Sequence, residues 1–149
     1  MQCHKITLAF SPHTDSSQRM VAFTARNSAG TFNVAAQGTV VYNRADLNLG
    51  TGFDTVTGVF TCPAPGLYLF FVNCDAANSH VDEDVGILVD GVRVAGCYAH
   101  PTHDQGAGMA AVRLRTGQKV WVKLFRESAR NIAGGTYNTF SGFLIKSED

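Results

Sequence analysis

At 149 residues the chain is sized for one compact domain, and a chain of that length buries roughly 70 % of the surface its unfolded form exposes, enough for stability without a disulfide lattice or a structural metal. Hydrophobic residues make up 45 % of it and charged residues 16 %, which excludes disorder. Twelve Lys and Arg balance twelve Asp and Glu, so no long-range field gathers nucleic acid or an anionic membrane, and a chain near zero net charge tends to associate, a first sign of an oligomer.

Residues 1–19 read as an N-terminal segment and 20–149 as the globular domain. The apolar patch at 6–10 is too small for a signal-peptide core, and no stretch approaches the ~20 apolar residues of a membrane-spanning helix. Val, Phe, Thr and Tyr carry the longer apolar segments, 15 glycines punctuate them, and no window of helical length shows a 3.6-residue apolar period. Strands are expected at 21–26, 39–42, 56–61 and 66–75. Within the last, every side chain from 67 to 72 is apolar, so both faces need cover, and a neighbouring subunit is the simplest one.

Further along, Val85, Ile87 and Val89 run into Asp90-Gly91 and out through Val92 and Val94, which predicts a hairpin with a two-residue turn. Ala110, Val112 and Leu114 alternate with Ala111, Arg113 and Arg115. After Thr116-Gly117-Gln118, Val120, Val122 and Leu124 alternate with Trp121, Lys123 and Phe125, and a second hairpin is expected there. A strand over 137–145 closes the set, which together predicts an antiparallel sandwich of the jelly-roll kind. The four cysteines, Cys3, Cys62, Cys74 and Cys97, lack the paired spacing of a zinc site. Cys62, Cys74 and Cys97 lie on strand-like segments and are expected as mostly unpaired thiols acting as small hydrophobes.

Tyr42, Asn48, Phe53, Phe60, Gly66, Tyr68 and Phe70 stand at the intervals of the central signature of the C1q domain, the trimeric jelly roll of the complement C1q head and of tumour necrosis factor-like ligands. The chain resembles that family over about residues 20–146, with Tyr42 in place of the pattern's Phe and Val72 in place of its closing aromatic. The resemblance implies an all-β, ten-stranded antiparallel jelly-roll sandwich assembling as a homotrimer. It also implies a secreted, non-enzymatic recognition protein of innate immunity, similar to stalkless invertebrate C1q-domain proteins, with microbial glycans or polysaccharides as lectin-like ligands. The alternative is a secreted signalling or adhesion ligand that binds a protein receptor across its subunit clefts. Neither nucleic acid nor membrane insertion is expected.

No Gly-x-Ser-x-Gly, Gly-x-x-x-x-Gly-Lys or His-Glu-x-x-His motif occurs, so no catalytic residues are assigned. Gly106-x-Gly108 and Gly134-Gly135 read as loop turns. Ligand contacts are expected from two loops: His80, Asp82, Glu83 and Asp84 on one, and His100, His103 and Asp104 on the other. Their hydroxyl-binding polar groups suit a sugar, and three successive carboxylates suit calcium, which takes six to eight oxygen ligands. No cofactor is required. His100, His103 and Asp104 lie within zinc-ligand reach of one another, but without a distant fourth ligand they read as a solvated contact loop.

Overall fold

The computed structural model describes residues 19–77, 81–101 and 104–149. Strand formation follows from alternation of side chains between two faces. In β1 (Ala22–Arg26) Phe23 and Ala25 are buried while Ala22, Thr24 and Arg26 face outward, and in β6 (Gly66–Asp75) Tyr68, Phe70, Val72 and Cys74 are buried. The remaining strands are β2 (Thr31–Val34), β3 (Arg44–Leu49), β4 (Phe53–Asp54), β5 (Val59–Thr61), β7 (Glu83–Val89), β8 (Val92–Ala99), β9 (Gln105–Leu114), β10 (Lys119–Leu124), β11 (Arg130–Ala133) and β12 (Thr139–Ser147). A 3-10 turn, Gly135–Tyr137, precedes the last strand.

Ten of these strands form two five-stranded antiparallel sheets, β3-β1-β12-β6-β9 and β4-β5-β10-β7-β8, and β11 with β2 makes a small separate ribbon. The expected ten-stranded jelly roll is the fold of this chain. Between the sheets lies an aromatic core. Phe23 stacks at 4.8 Å on Phe53 and 5.0 Å on Phe60 and meets Phe140 edge-on, while Phe70 packs on Phe60 and Tyr68. The signature residues therefore act as core: Tyr42, Phe53, Phe60, Tyr68 and Phe70 are all buried, and Asn48 clamps Phe53 by bonding both its carbonyl and its amide.

Several expectations need correction. The hairpin through Asp90-Gly91 is present, with Val89 paired to Val92, but the segments around 110–115 and 120–125 do not pair. β9 lies on β6 in one sheet, whereas β10 lies between β5 and β7 in the other. The turn at Gly117 thus carries the chain from sheet to sheet, because the edge next to β6 was open to β9 while β10 found its partners in the opposite layer. Residues 39–42 form no strand beyond one bridge from Thr39 to Lys123, and Tyr42 instead drives its ring into the core. The edge strand falls at β3, and the expected strands at 56–61 and 137–145 are trimmed at their starts by a turn and the 3-10 turn.

The unpaired-thiol expectation is overturned for two of the three strand cysteines. Cys74 of β6 and Cys97 of β8 form a disulfide, with Cα atoms 6.2 Å apart. It joins the two sheets at the side where β8 approaches β9. Glycines make that approach close: a Cβ on Gly106 or Gly108 of β9 would run into the carbonyl oxygens of Tyr98 and Gly96 of β8. Gly106-x-Gly108 is accordingly strand interior rather than a loop turn. Cys62 is a buried free thiol that contacts the Ala64 carbonyl oxygen at 3.1 Å, and Cys3 lies outside the described residues.

Candidate functional site

The two sheets present very different outward faces. On β3-β1-β12-β6-β9 the register aligns Leu49, Ala22, Phe143, Leu69 and Ala111 in one row across all five strands, and Leu47, Thr24, Ser141, Phe71 and Met109 in the next. Phe71 is 47 %, Phe143 45 % and Met109 59 % exposed. Alternation explains the apolar run 67–72: Tyr68, Phe70 and Val72 fill the core, while Leu67, Leu69 and Phe71 point away from it. Beside these rows, a cavity of about 590 Å³ is lined by Arg19, Met20, Phe143, Ile145, Lys146 and other residues of the two terminal strands.

The other sheet's outward face is ionic and aromatic at one end. Asp82 is its hub. Arg126 grips it with two hydrogen bonds, Nε to Oδ1 at 2.9 Å and Nη2 to Oδ2 at 2.8 Å. Arg130 donates to Oδ1 at 3.2 Å and to the backbone carbonyl at 2.7 Å, and the Tyr98 hydroxyl donates to Oδ2 at 3.0 Å. These donors, Arg126 foremost, hold the Asp82 carboxyl well below the usual carboxylate range. Asp84 accepts from Arg93 at 2.8 Å and from Arg126 at 3.3 Å.

Glu83, between them, behaves oppositely. It points inward from β7, is 1 % exposed, and neither carboxyl oxygen has a hydrogen-bond partner. Burial, with a further contribution from the Asp75 carboxylate, pushes its pKa up to about 8. The Asp75 amide offsets this only slightly, since its own hydrogen bond goes to Asn138 Oδ1. Glu83 is therefore a protonated core residue at neutral pH.

The acidic run does not form one loop of three free carboxylates, because Glu83 and Asp84 belong to β7. Strand alternation sends Glu83 inward and Asp84 outward, so no ligand outside the core reaches Glu83. All four carboxylate oxygens of Asp82 and Asp84 accept hydrogen bonds from arginine, and these two residues tie the approach to β7 to the segment after β10. The structure does bring the two expected contact loops together: the Tyr98 ring lies edge-on to His100 at 5.6 Å while its hydroxyl binds Asp82. His100 and Asp104 are exposed. His80 and His103 lie outside the described residues. Among the described residues no group of three or more His, Cys, Asp and Glu side chains is arranged to hold a metal ion.

In the sequence the run from Arg126 to Arg130 reads as a polar loop, either solvated or in contact with an anionic ligand through bidentate hydrogen bonds, and nothing there singles out Arg93. The alternation did place Trp121, Lys123 and Phe125 together on the strand face opposite Val120, Val122 and Leu124. Arg93 Cζ lies 4.2 Å and Lys123 Nζ 5.0 Å from the centroid of the Phe125 ring.

Comparison with known proteins agrees with this architecture. Residues 22–145 match the family profile described as C1q domain. The zebrafish (Danio rerio) protein Caprin-2 is 30 % identical over 131 residues, covering 86 % of this chain and 14 % of its own length. Mouse (Mus musculus) complement C1q tumor necrosis factor-related protein 6 is 34 % identical over 116 residues, covering 74 % of this chain and 44 % of its own length. The chain thus corresponds to part of each of these longer relatives. Among solved structures, the globular domain of zebrafish complement 1qA protein superposes with a TM-score of 0.71 at 21 % identity, covering 87 % of this chain and all of that one.

Proposed function

The chain belongs to the C1q domain family, and from that premise we propose that it is the recognition head of a secreted, non-enzymatic homotrimer that binds glycan-bearing microbial surfaces in innate immunity. One observation carries the reading: the two aligned, largely apolar rows on the outward face of the β3-β1-β12-β6-β9 sheet, with Leu47, Leu49, Phe71, Met109 and Phe143 exposed in them. A contiguous apolar patch centred on Phe71 and Phe143 is costly to leave in water and suits a permanent interface, which resembles a domain core cut in half. A second and a third copy seated there bury the patch. They leave the opposite sheet and its end loops facing solvent three times over on one rigid body, and weak single contacts then add as avidity on a repetitive surface. Tyr98, His100 and Asp104 are the exposed polar and aromatic groups offered to such a ligand.

Sedimentation at micromolar concentration, combined with a screen of microbial polysaccharides run in calcium and then in chelator, tests the reading. A trimer that binds polysaccharide-coated beads is the expected result, and the chelator arm reports whether calcium takes part. A monomer overturns the assembly. A trimer that ignores every glycan yet binds a cell-surface protein overturns the ligand class and favours a signalling ligand.

A further inference from the structure

The outward face of the β4-β5-β10-β7-β8 sheet carries a cation pair that its own carboxylates do not fully balance. Gly86 of β7 and Gly96 of the edge strand β8 are direct partners in the register, and between them they leave a bed free of their own side chains. Arg93 lies in that bed. A Cβ on Gly86 would sit 2.7 Å from Arg93 Nε and 2.8 Å from the Phe125 ring, and one on Gly96 would sit 2.6 Å from Arg93 Nη2. The bed holds the guanidinium against Phe125, with Lys123 on the same ring.

Hydrogen bonding sets this pair apart from the neighbouring arginines. Arg126 and Arg130 spend their donors on Asp82, Asp84 and nearby carbonyls. Arg93 uses only Nη2, toward Asp84 and the Val85 carbonyl, and among the described residues Nε, Nη1 and the Lys123 ammonium have no hydrogen-bond acceptor. Asp84 is already shared with Arg126. Two positive charges are therefore held against one aromatic ring, with donors available and a single carboxylate, shared with Arg126, beside Arg93. Arg93 keeps 39 % of its side chain exposed. Along the same face, the next row places Tyr98 opposite Asp84, 47 % exposed, with His100 at its edge.

We infer that Arg93 and Lys123, set on Phe125 and flanked by Tyr98, form a subsite for the carboxylate or sulfate group of an acidic sugar in a polysaccharide. The inference rests on the glycan reading above and narrows it to acidic polymers. Arginine offers a planar pair of donors matched to a two-oxygen anion, lysine adds a point charge, and an exposed aromatic ring accepts the apolar face of a pyranose. Nucleic acid fits less well, because the whole chain is electrically balanced and this ring carries two cations rather than a track along which a phosphate backbone could run.

The test uses the full chain on beads coated with alginate, heparin, neutral mannan or double-stranded DNA, with the parent, K123Q and R93Q compared at two salt concentrations. Lys123 donates no hydrogen bond on this face, so K123Q should keep the parent's mass and melting temperature, whereas R93Q also loses the Asp84 contact. The expected result is parent binding to alginate or heparin above mannan, at least a tenfold loss in K123Q and R93Q, and a shallower salt dependence in both. Acidic polysaccharide bound equally by the parent and K123Q overturns the subsite. Mannan bound as well as alginate overturns the acidic class while leaving the glycan reading intact. DNA bound as tightly as heparin overturns the sugar assignment in favour of a general polyanion surface. No glycan bound by the parent overturns both readings together.

Discussion

The outward faces of the two sheets obey the same alternation and reach opposite outcomes. On β3-β1-β12-β6-β9, the residues that point away from the core include Leu47, Leu49, Leu69, Phe71, Met109 and Phe143, which the described residues leave exposed or only half covered. On β4-β5-β10-β7-β8, the outward positions include Asp84, Arg93, Lys123, Phe125 and Tyr98, which meet through ion pairs and ring contacts that leave donors of Arg93 and Lys123 free among the described residues. A sandwich that buries one side of each sheet leaves the composition of the other side unconstrained by folding. That composition then reports what the face meets: an apolar face reports a permanent partner, and a polar face with donors to spare reports water and reversible contacts.

The largest effect is expected from charging the apolar face. Phe71→Glu places a carboxylate in the second row, between Ser141 and Met109, and, if buried unpaired in an assembly, weakens association by about 100-fold or more. Sedimentation should read a trimer for the parent and a folded monomer for the variant. The same mass for both would show that the apolar rows are not the interface.

Next in size is the contrast between the pinned and unpinned sides of the sandwich. Removing the Cys74–Cys97 bond by the double change to Ala should cost about 3 kcal/mol in denaturant unfolding, as for a disulfide closing a loop of this size. Alkylation of the unfolded, unreduced chain should label Cys62 and spare Cys74 and Cys97. Labelling of all three would contradict the pairing.

Glu83 sharpens the comparison from within, since its neighbours Asp82 and Asp84 face outward and are ion-paired. Its folded pKa of about 8 exceeds the ordinary value of 4.5. Below the ordinary value the carboxyl is protonated in both states and carries no penalty. Between 4.5 and 8 the unfolded chain ionises while the folded one does not, so stability falls as pH rises and levels off above the folded pKa. Glu83→Gln removes this slope, and at pH 7 the difference from the parent should have moved by on the order of 3 kcal/mol relative to pH 4. Parallel stability curves for the two proteins over that window would refute a buried, protonated Glu83.

The smallest effect belongs to the ion-paired face. Asp82→Asn keeps the shape but weakens the bonds from Arg126 and Arg130, which are partly solvated, so a loss of about 1–2 kcal/mol is expected after screening. The Asp82 carboxyl is held below its ordinary range, so its contribution is full above that range and is lost only as pH falls through the lowered value. Thermal melting of parent and variant should therefore differ at pH 5 and converge in strong acid. A variant as stable as the parent at pH 5 would make the Asp82 hub a surface ornament.

Local chemistry determined what the sequence could tell by itself. Period-two alternation placed β7, β8, β10 and the second half of β9, and strand-forming composition placed β1, β6 and most of β12; Asp90-Gly91 specified its turn, with both residues at positive φ; and the spaced aromatics named the family because each must fill one slot of a shared core. Sheet membership was decided elsewhere. Nothing between Arg115 and Val120 distinguishes a hairpin turn from a crossing between layers, since the choice depends on which strand edges stand open when the layers meet. The same holds for Cys74 and Cys97, 23 residues apart on different sheets, and for the acidic run. Three adjacent carboxylates look equivalent in sequence, but a strand turns neighbours to opposite faces, and once β7 lay between β8 and β10 that geometry buried Glu83 and gave Asp82 and Asp84 to the arginines.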